Sequence, residues 1–261
     1  MARLDSELVV RKIARSRERA KEMIKSGAVT VNGISAKKPS LEVSADDILE
    51  SSEKEKYVGR GALKLERATE YFGLVFSGMI CLDIGASTGG FTEYMLTHGA
   101  ERVYAVDVGH GQLAETLRSD IRVVNMENTD IRNVSADNTG GQVDFISADV
   151  SFISLTKIIP KISELLKPEG TASVLIKPQF EAGKKDIGKG GVVRDRKAHI
   201  RVITELDSFF RLCGLIPTGY TYSPIRGGSG NIEYLAELKK SVSGINTHDF
   251  NKLVDDAFRN L

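Results

Sequence analysis

The stretch that decides the fold is MICLDIGASTGGFTEYM, residues 79–95. Its first part, Met79–Ile84, is a mostly apolar run of the kind that forms a strand buried on both faces of a parallel sheet. A glycine-rich turn, GASTGG, follows the strand and leads into a helical segment. Such a turn between a strand and a helix lets backbone amides approach a bound molecule closely. The stretch therefore predicts a strand, a ligand-binding turn and a helix in succession.

The same alternation continues after this stretch. Short apolar segments are separated by amphipathic helices, which predicts an α/β fold with a seven-stranded, mostly parallel sheet covered on both faces. The predicted strands are Met79–Ile84, Arg102–Asp107, Arg122–Met126, Val143–Ala148, Ala172–Ile176, Leu215–Tyr222 and Ile232–Leu238. The last two are close enough in sequence to form a hairpin. Predicted helices include Leu155–Leu166 and Lys197–Leu212.

A cofactor site is predicted where the first two strands end. The loop does not follow the GxGxxG pattern of dinucleotide sites, and it lies between two acids, Asp83 and Asp107. This arrangement favours S-adenosylmethionine, which is positively charged and has no phosphate, although a tight turn with a helix-capping acid is the alternative. Asp130 is predicted to contact the adenine, with a simple cap as an equal alternative. The predicted cofactor-binding residues are Asp83, Gly85, Ala86, Ser87, Gly89, Gly90, Asp107 and Asp130.

Composition limits the class of protein. The chain has 261 residues, of which 41% are hydrophobic and 27% are charged, as is ordinary for a globular protein. No apolar stretch approaches the roughly 20 residues that span a bilayer, and no signal peptide is visible, so a cytoplasmic location is predicted. The two cysteines, Cys81 and Cys213, stand far apart without a Cys/His cluster, so we expect reduced thiols and no metal site.

The charge of the chain is unevenly distributed. Residues 1–40 contain ten Lys and Arg against four Asp and Glu, a net charge of +6, which leaves −5 for the remainder. A basic segment of this kind suggests contact with a polyanion, although a solvated helix face explains the charge equally well.

A small module is predicted within this basic segment. In SRERAKEMIKSGAVTVNG, residues 16–33, Ser16 fits a helix N-cap and Gly27 fits the position that ends the helix. A strand over Val29–Val31 follows, and Asn32-Gly33 is a strong hairpin-turn signal. Cations occupy the polar face of the helix and the segment after the turn: Arg15, Arg17, Arg19, Lys21, Lys25, Lys37 and Lys38.

This module resembles the RNA-binding domain named after ribosomal protein S4. The resemblance covers roughly Arg3 to Leu49 and depends on the pattern S-R-x-x-A-x-x-x-I-x-x-G-x-V-x-V-N-G. It implies a small α+β RNA-binding domain ahead of the large domain, in which the seven cations of the module contact RNA phosphates. We therefore predict an RNA-binding domain with its linker over residues 1–56, a large α/β domain over 57–240 and a C-terminal helical tail over 241–261.

Four polar residues are predicted to meet at the carboxyl edge of the sheet, where ligands bind in open α/β folds. Lys177 ends the fifth strand in LIKPQFE, Asp149 follows the fourth in ADVSFISL, and Glu233 opens the last in GNIEYL. Lys64 precedes the first strand in GRGALKLERA. Each has an ordinary alternative as a surface residue, a cap, a paired buried charge or an edge-strand charge that prevents aggregation. Together the four predict a catalytic site.

These four residues resemble the Lys-Asp-Lys-Glu tetrad of the FtsJ-like ribose 2′-O-methyltransferases. With the basic module in front, the chain resembles the TlyA subfamily of rRNA cytidine 2′-O-methyltransferases, also called haemolysin A, from its N-terminus to about Lys240. The most specific motifs are YVGRGALKLERA, DIGASTGGFT, VDVGHGQL, LIKPQFEAG and GKGGVVRD. The resemblance implies a Rossmann-like class I methyltransferase that uses S-adenosylmethionine and acts on ribosomal RNA.

The role of Lys177 and the function itself each leave alternatives open. We predict Lys177 as the base that accepts the ribose hydroxyl proton, because a lysine near other cations and partly desolvated has a lowered pKa. If carboxylates lie closest, Lys177 is instead a cation that orients the hydroxyl. The alternative functions are a non-catalytic RNA-binding factor and a membrane-active haemolysin, and the second lacks a lytic helix or export signal in the sequence. Residues 183–191 are predicted to form a basic loop near the site, a lid or an RNA contact, or else a plain surface loop.

Overall fold

The computed structural model describes residues 1–11, 13–14, 17–52, 57–241 and 247–261. Two compact units make up the chain, Met1–Val58 and Gly59–Leu261. The predicted N-cap Ser16 and the predicted RNA contact Arg15 lie outside the described residues, as does part of the predicted linker.

The small unit combines two helices with short strands. The helices are α1 (Leu4–Val10) and α2 (Arg17–Lys25), and the strands are β1 (Ala2–Arg3), β2 (Val29–Val31), β3 (Ile34–Ser35), β4 (Glu42–Val43) and β5 (Leu49–Ser51). β2 pairs antiparallel with β3 and β5, and β1 pairs with β4. The predicted hairpin turn is confirmed, since Asn32 and Gly33 have φ angles of 51° and 79°. Met23 and Ile24 of α2 are fully buried in the core of this unit, where Leu4 and Leu8 of α1 also lie.

The large unit is a seven-stranded sheet between helices. The strands are β6 (Ile80–Ile84), β7 (Arg102–Val106), β8 (Val123–Met126), β9 (Val143–Ala148), β10 (Leu166–Ile176), β11 (Ile216–Tyr222) and β12 (Tyr234–Lys239). The helices are α3 (Ala62–Phe72), α4 (Gly90–Thr97), α5 (Glu115–Arg118), α6 (Ile159–Leu165), α7 (Pro178–Glu181), α8 (Arg196–Leu212) and α9 (Phe250–Asn260).

The sheet order is β11-β12-β10-β9-β6-β7-β8. Strands β6 to β10 are parallel, and β12 runs antiparallel between β10 and β11. The predicted fold class and the predicted hairpin of the last two strands are therefore confirmed. The central strand β9 is buried on both faces, as expected of an inner parallel strand: Phe145 and Ile146 point to opposite faces, and both are at most 1% exposed.

Several strands and helices start or end one or two residues from the predicted limits, and two elements differ more. The segment predicted as one helix over Leu155–Leu166 is a 3₁₀ turn, Leu155–Lys157, followed by α6. Pro160 stands in the first turn of α6, where its missing N–H costs no hydrogen bond but where it cannot continue a preceding helix. Strand β10 starts at Leu166, and not at Ala172, with a register shift before Thr171.

The helix predicted as a C-terminal tail belongs to the core of the large unit. Val254 and Ala257 of α9 are fully buried and lie in the same hydrophobic cluster as the sheet. The amphipathic pattern of this helix is thus explained by packing against α8 and β11.

Candidate active site

The four residues of the predicted tetrad meet at one edge of the sheet. β6, β9 and β10 are parallel neighbours, so the segments that follow them emerge side by side. Asp149 follows β9 and Lys177 follows β10, while Glu233 immediately precedes the antiparallel β12 and so reaches the same edge from the opposite direction. Lys64 comes from the first turn of α3. The structure therefore brings together four side chains that are up to 169 positions apart in the sequence.

Their charges alternate along a line that we name the ion-pair chain, Glu233–Lys64–Asp149–Lys177. The Nζ atom of Lys64 lies 2.9 Å from Oε2 of Glu233 and 3.0 Å from Oδ2 of Asp149. The Nζ atom of Lys177 lies 2.6 Å from Oδ1 of Asp149. Lys177 also donates a hydrogen bond of 2.9 Å to the hydroxyl of Ser151, a contact that the sequence reasoning missed. The only sequence feature that indicated this contact was the position of Ser151, two residues after Asp149.

The ion-pair chain is largely withdrawn from water. Lys64, Lys177 and Glu233 are 8%, 7% and 2% exposed. Burial by itself lowers the pKa of Lys64, but the carboxylates of Asp149 and Glu233 outweigh it and hold that pKa above its usual value. Burial likewise opposes ionisation of Asp149, and the two lysines outweigh it, so the pKa of Asp149 is lowered. Both partners of the Lys64–Asp149 pair are therefore charged at neutral pH.

Two carboxylate oxygens of the ion-pair chain are able to accept a further hydrogen bond. Oδ1 of Asp149 and Oε2 of Glu233 are buried and, among the described residues, have no aligned hydrogen-bond donor. Each is at ion-pair distance from a lysine nitrogen, but off the direction of a hydrogen bond. Buried acceptors of this kind are rare in folded proteins unless a bound group satisfies them.

Two glycines leave room for the ion-pair chain. Gly85 has φ of 81°, and a Cβ atom there would lie 2.5 Å from the carbonyl oxygen of Asp149. A Cβ atom at Gly227 would collide with the carboxylate of Glu233. The sequence reasoning found Gly85 in the glycine loop but missed Gly227, whose signal was the Gly-Gly pair ahead of Glu233.

Two cavities open at this edge of the sheet. The larger, of about 540 Å³, lies beside the carboxyl ends of β6 and β7 and is lined by Gly85, Ser87, Asp107, Asp130 and Asp149, among others. The smaller, of about 190 Å³, is lined by Lys64, Asp149 and the glycine loop, together with Arg226 and the two glycines that follow it. Gly85, Ser87 and Asp149 line both cavities, so a ligand in one lies next to a ligand in the other.

The larger cavity fits S-adenosylmethionine. Three carboxylates line it: Asp149 is paired with two lysines and Asp130 with Arg132. Asp107 has no cationic partner among the described residues, and its negative charge suits a positively charged ligand without phosphate. Its apolar lining suits the faces of an adenine ring: Ile84, Val106, Val108, Ile131, Val150 and Ile153. Both oxygens of Asp107 accept backbone hydrogen bonds, from Ser87 at 2.8 Å and from Gly109 at 2.7 Å. These bonds fix the glycine loop against the end of β7.

Most of the predicted cofactor residues line a cavity. Gly85, Ala86, Ser87, Gly90, Asp107 and Asp130 do so. Gly89 and Asp83 do not. Gly89 has φ of 95°, and a Cβ atom there would collide with Leu117. Gly89 therefore allows the turn to pack closely against Leu117.

Asp83 lies beneath the glycine loop and is fully buried. Its two oxygens accept hydrogen bonds from the hydroxyls of Thr92 at 2.7 Å and Ser147 at 3.0 Å. Burial raises the pKa of Asp83 to about 6, although these two hydroxyls favour the ionised form. A direct contact between Asp83 and the cofactor stays a prediction. The structure shows that Asp83 links β9 to α4 through its hydrogen bonds with Ser147 and Thr92.

Asp130 forms the cap that was one of its two predicted roles. Its side chain accepts a hydrogen bond from the backbone N–H of Arg132 and forms an ion pair of 2.5 Å with the Arg132 guanidinium. Its contact with adenine stays a prediction. Gln112, which the sequence reasoning did not single out, also lines the larger cavity and accepts a hydrogen bond of 3.3 Å from the Ser87 hydroxyl.

The predicted RNA contacts of the small unit differ in their surroundings. Lys25, Lys37 and Lys38 are exposed. Arg17 donates to the buried carboxylate of Asp5 at 3.2 Å, and Arg19 pairs with Glu22. Lys21 is half-buried. Arg17 thus has a structural contact in addition to any RNA contact.

Across the parts of the chain that the structure describes, no helix is long and apolar enough to cross a membrane.

The Rossmann-like sheet, its glycine loop and the cavity at its carboxyl edge fit the class of S-adenosylmethionine-dependent methyltransferases. Residues 57–240 match the model of the FtsJ-like methyltransferase family, and residues 2–49 match the S4 domain. The chain belongs to the FtsJ-like methyltransferase family. The family, the fold class and the cofactor predicted from the sequence are confirmed.

Several relatives are similar over nearly the whole chain. The 16S/23S rRNA (cytidine-2′-O)-methyltransferase TlyA of Mycobacterium tuberculosis is 44% identical over 91% of this chain and 90% of its own. Hemolysin A of Brachyspira hyodysenteriae is 42% identical over 90% of this chain and 99% of its own. A solved structure from Streptococcus thermophilus that carries the name hemolysin is 42% identical, with a TM-score of 0.81 over 99% of this chain and 96% of its own.

Proposed function

We propose that this protein methylates the ribose 2′-hydroxyl of cytidine in ribosomal RNA. The observation that carries the proposal is the buried ion-pair chain beside an acidic cofactor cavity. The names of the TlyA relatives, at 44% and 34% identity, support the substrate.

The proposed catalytic residues are Lys64, Asp149, Lys177 and Glu233. The bound cofactor supplies a methyl group on a positively charged sulfur. A ribose hydroxyl is a weak nucleophile, so methyl transfer requires that its oxygen be held in line with that group, and positioning provides much of the rate. The two buried acceptor oxygens, Oδ1 of Asp149 and Oε2 of Glu233, are available to receive the hydroxyl proton in a hydrogen bond and so orient the oxygen.

Lys177 acts in this scheme as a cation and not as the base. Its Nζ atom lies 2.6 Å from a carboxylate oxygen of Asp149, and removing its proton would leave the charge of Asp149 balanced by Lys64 alone. A fixed ammonium group stabilises the partial negative charge that the oxygen carries as its proton departs. Once the oxygen has bonded to the methyl group its proton is strongly acidic, so no strong base is needed.

The small unit is proposed to bind the RNA. Residues 2–49 match the S4 domain, and Lys25, Lys37 and Lys38 present exposed ammonium groups. Contacts of this kind bind phosphates and position the RNA without reading its bases. We propose the division into an RNA-binding domain over 1–56, a methyltransferase domain over 57–240 and a C-terminal segment over 241–261. Since the proposed substrate is ribosomal RNA, the proposed location is the cytoplasm.

The test is mass spectrometry of nucleosides from bacterial ribosomal subunits incubated with S-adenosylmethionine and the protein. We expect a new 2′-O-methylcytidine with the wild type, and a loss of roughly 10²-fold or more in rate with Lys177→Ala. Lys161→Ala, which removes a lysine on the surface of α6, is the matched control. A wild-type protein that binds the cofactor but methylates no ribose would refute the proposed reaction.

A further inference from the structure

The segment Lys184–Lys197, which we name the basic segment, has a charge opposite to that of its surroundings. It contains six Lys and Arg against two Asp, a net charge of +4. The large unit as a whole contains 24 Lys and Arg against 25 Asp and Glu, so the rest of that unit carries −5. Six of the 24 cations of the large unit thus lie within 14 residues.

Most of these cations have no carboxylate partner. Arg196 pairs with Asp255 at 2.5 Å. The other five make no ion pair with any residue that the structure describes, and all five are exposed: Lys184, Lys185, Lys189, Arg194 and Lys197. Elsewhere in the unit, Arg118, Arg122 and Arg211 each contact a carboxylate. Exposed cations without an ion pair to a described residue, such as Lys157 and Lys252, also occur there, but far apart in the sequence. The basic segment therefore presents a positive surface that the fold itself does not neutralise.

The segment is fixed at the catalytic edge of the sheet. The basic segment begins seven residues after Lys177. It is hydrogen-bonded to Asn231, which lies two residues before Glu233 and is 1% exposed. The Asn231 side chain accepts a hydrogen bond of 3.0 Å from the N–H of Val193 and donates one of 2.9 Å to the carbonyl of Gly191. Buried His199 adds a contact of 3.0 Å to the carbonyl of Val193.

A second tie holds the other half of the segment. Arg201 on α8 forms an ion pair of 2.7 Å with Asp186. The stem of the basic segment is therefore anchored to two elements, while its lysines point to water. Several separate exposed cations on an anchored backbone suit a partner with several separate negative charges.

We propose that the basic segment binds the phosphodiester backbone of the substrate RNA beside the nucleotide that is methylated. The proposal rests on the proposed function, because the partner is the RNA whose ribose reaches the ion-pair chain. Lysine ammonium groups contact phosphates as point charges without reading sequence. The basic segment thus supplies affinity and holds the strand against the catalytic edge, separately from the cations of the small unit.

The test compares the salt dependence of RNA binding for full-length variants. Each phosphate contact that is lost flattens the slope of log K against log salt by roughly 0.7 to 0.9. We expect the triple variant Lys184→Ala/Lys185→Ala/Lys189→Ala, titrated with purified bacterial rRNA, to have a slope flatter by roughly 2. The matched control removes three cations from the opposite edge of the sheet, Arg102→Ala/Lys167→Ala/Lys239→Ala, and should keep the wild-type slope.

Three further measurements separate this proposal from its alternatives. The affinity for S-adenosylmethionine should be unchanged in the triple variant, which shows that the large unit remains folded. A salt slope of RNA binding that is unchanged in that variant would overturn the proposal. If the variant with this unchanged slope also loses binding to phosphatidylserine vesicles, the partner of the basic segment is a membrane and not RNA. Nucleoside mass spectrometry of the wild type tests the proposed reaction independently, since a protein without methyl transfer still gives a measurable slope.

Discussion

Glu233 keeps its place in the ion-pair chain because residue 227 has no side chain. We predict that Gly227→Ala displaces the Glu233 carboxylate from Lys64, because the added Cβ atom would overlap it. The expected result is a decrease of about tenfold or more in kcat, since misplacing one orienting group disturbs the alignment of the hydroxyl. Steady-state kinetics of methyl transfer to rRNA measure it.

The neighbouring residue provides the control. A Cβ atom at Gly228 would meet nothing within 4 Å. Gly228→Ala should therefore have near wild-type kcat. Equal losses in the two variants would show that the whole loop, and not the space for Glu233, determines the rate.

The pKa of Asp83 predicts a pH-dependent stability. Burial raises that pKa to about 6, whereas the unfolded chain has an ordinary Asp with a pKa near 3.8. Between these values the folded state binds more protons than the unfolded state, so stability falls as pH rises through this window. Relative to Asp83→Asn, the wild type should lose roughly 3 kcal/mol between pH 3.5 and pH 7. Urea denaturation at several pH values measures the difference, and parallel curves for the two proteins would contradict the assignment.

The residues of the site show what a sequence can and cannot indicate. Lys177 and Asp149 were predictable, because each follows an apolar strand and parallel strands end at one edge. Ser151 and Gly227 were not, since a serine in a loop and one of several glycines carry no periodic signal. The burial of Asp83 was also missed. The sequence around a carboxylate in a strand does not differ between one that faces a ligand and one that accepts bonds from two hydroxyls.

At the scale of elements, Glu181 joins the segment after β9 to the turn after β10. Its carboxylate accepts hydrogen bonds from the Ser154 hydroxyl at 2.6 Å and the N–H of Leu155 at 2.7 Å. Burial raises its pKa, and these two donors favour the ionised form. The two segments carry Asp149 and Lys177, so Glu181 fixes the spacing between them without touching either.

We therefore expect Glu181→Ala to lower both stability and activity. The loss leaves the buried N–H of Leu155 without its acceptor, which costs about 1–3 kcal/mol. Glu181→Gln keeps one acceptor and should recover part of the stability and of kcat. Thermal unfolding and single-turnover methylation measure the two effects. Glu164→Ala, at an exposed ion pair on α6, is the control, and a similar loss there would argue against a specific role for Glu181.

Element boundaries were less predictable than element types. The seven strands and the final hairpin follow from apolar runs and their spacing. The break between the 3₁₀ turn and α6 depends on Pro160, which a periodic pattern does not register. The early start of β10 depends on the pairing of Leu166 with Val143 across the sheet, which is information from tertiary structure.

At the scale of the whole molecule, the described residues of the cofactor site belong to one of the two units. Among the residues that the structure describes, those that line the two cavities beside the ion-pair chain belong to Gly59–Leu261. We expect S-adenosylhomocysteine at 100 times its Kd to stabilise that unit by about 2.7 kcal/mol. The unfolding transition of Met1–Val58 should not move. Scanning calorimetry with and without the ligand measures both, and an equal shift of the two transitions would show that the units unfold together.

The antiparallel strand β12 has a consequence for the timing of activity during synthesis. The glycine loop, Asp149 and Lys177 are all made before Glu233, which is joined to the start of β12. Because β12 inserts between β10 and β11, the sheet cannot close until this strand emerges and pairs. A growing chain therefore acquires the parts of a cofactor site long before it acquires the last charge of its catalytic centre. On the proposed role of Glu233, we expect a chain that ends before β12 to transfer methyl groups more slowly than the finished protein, because its ion-pair chain lacks one carboxylate.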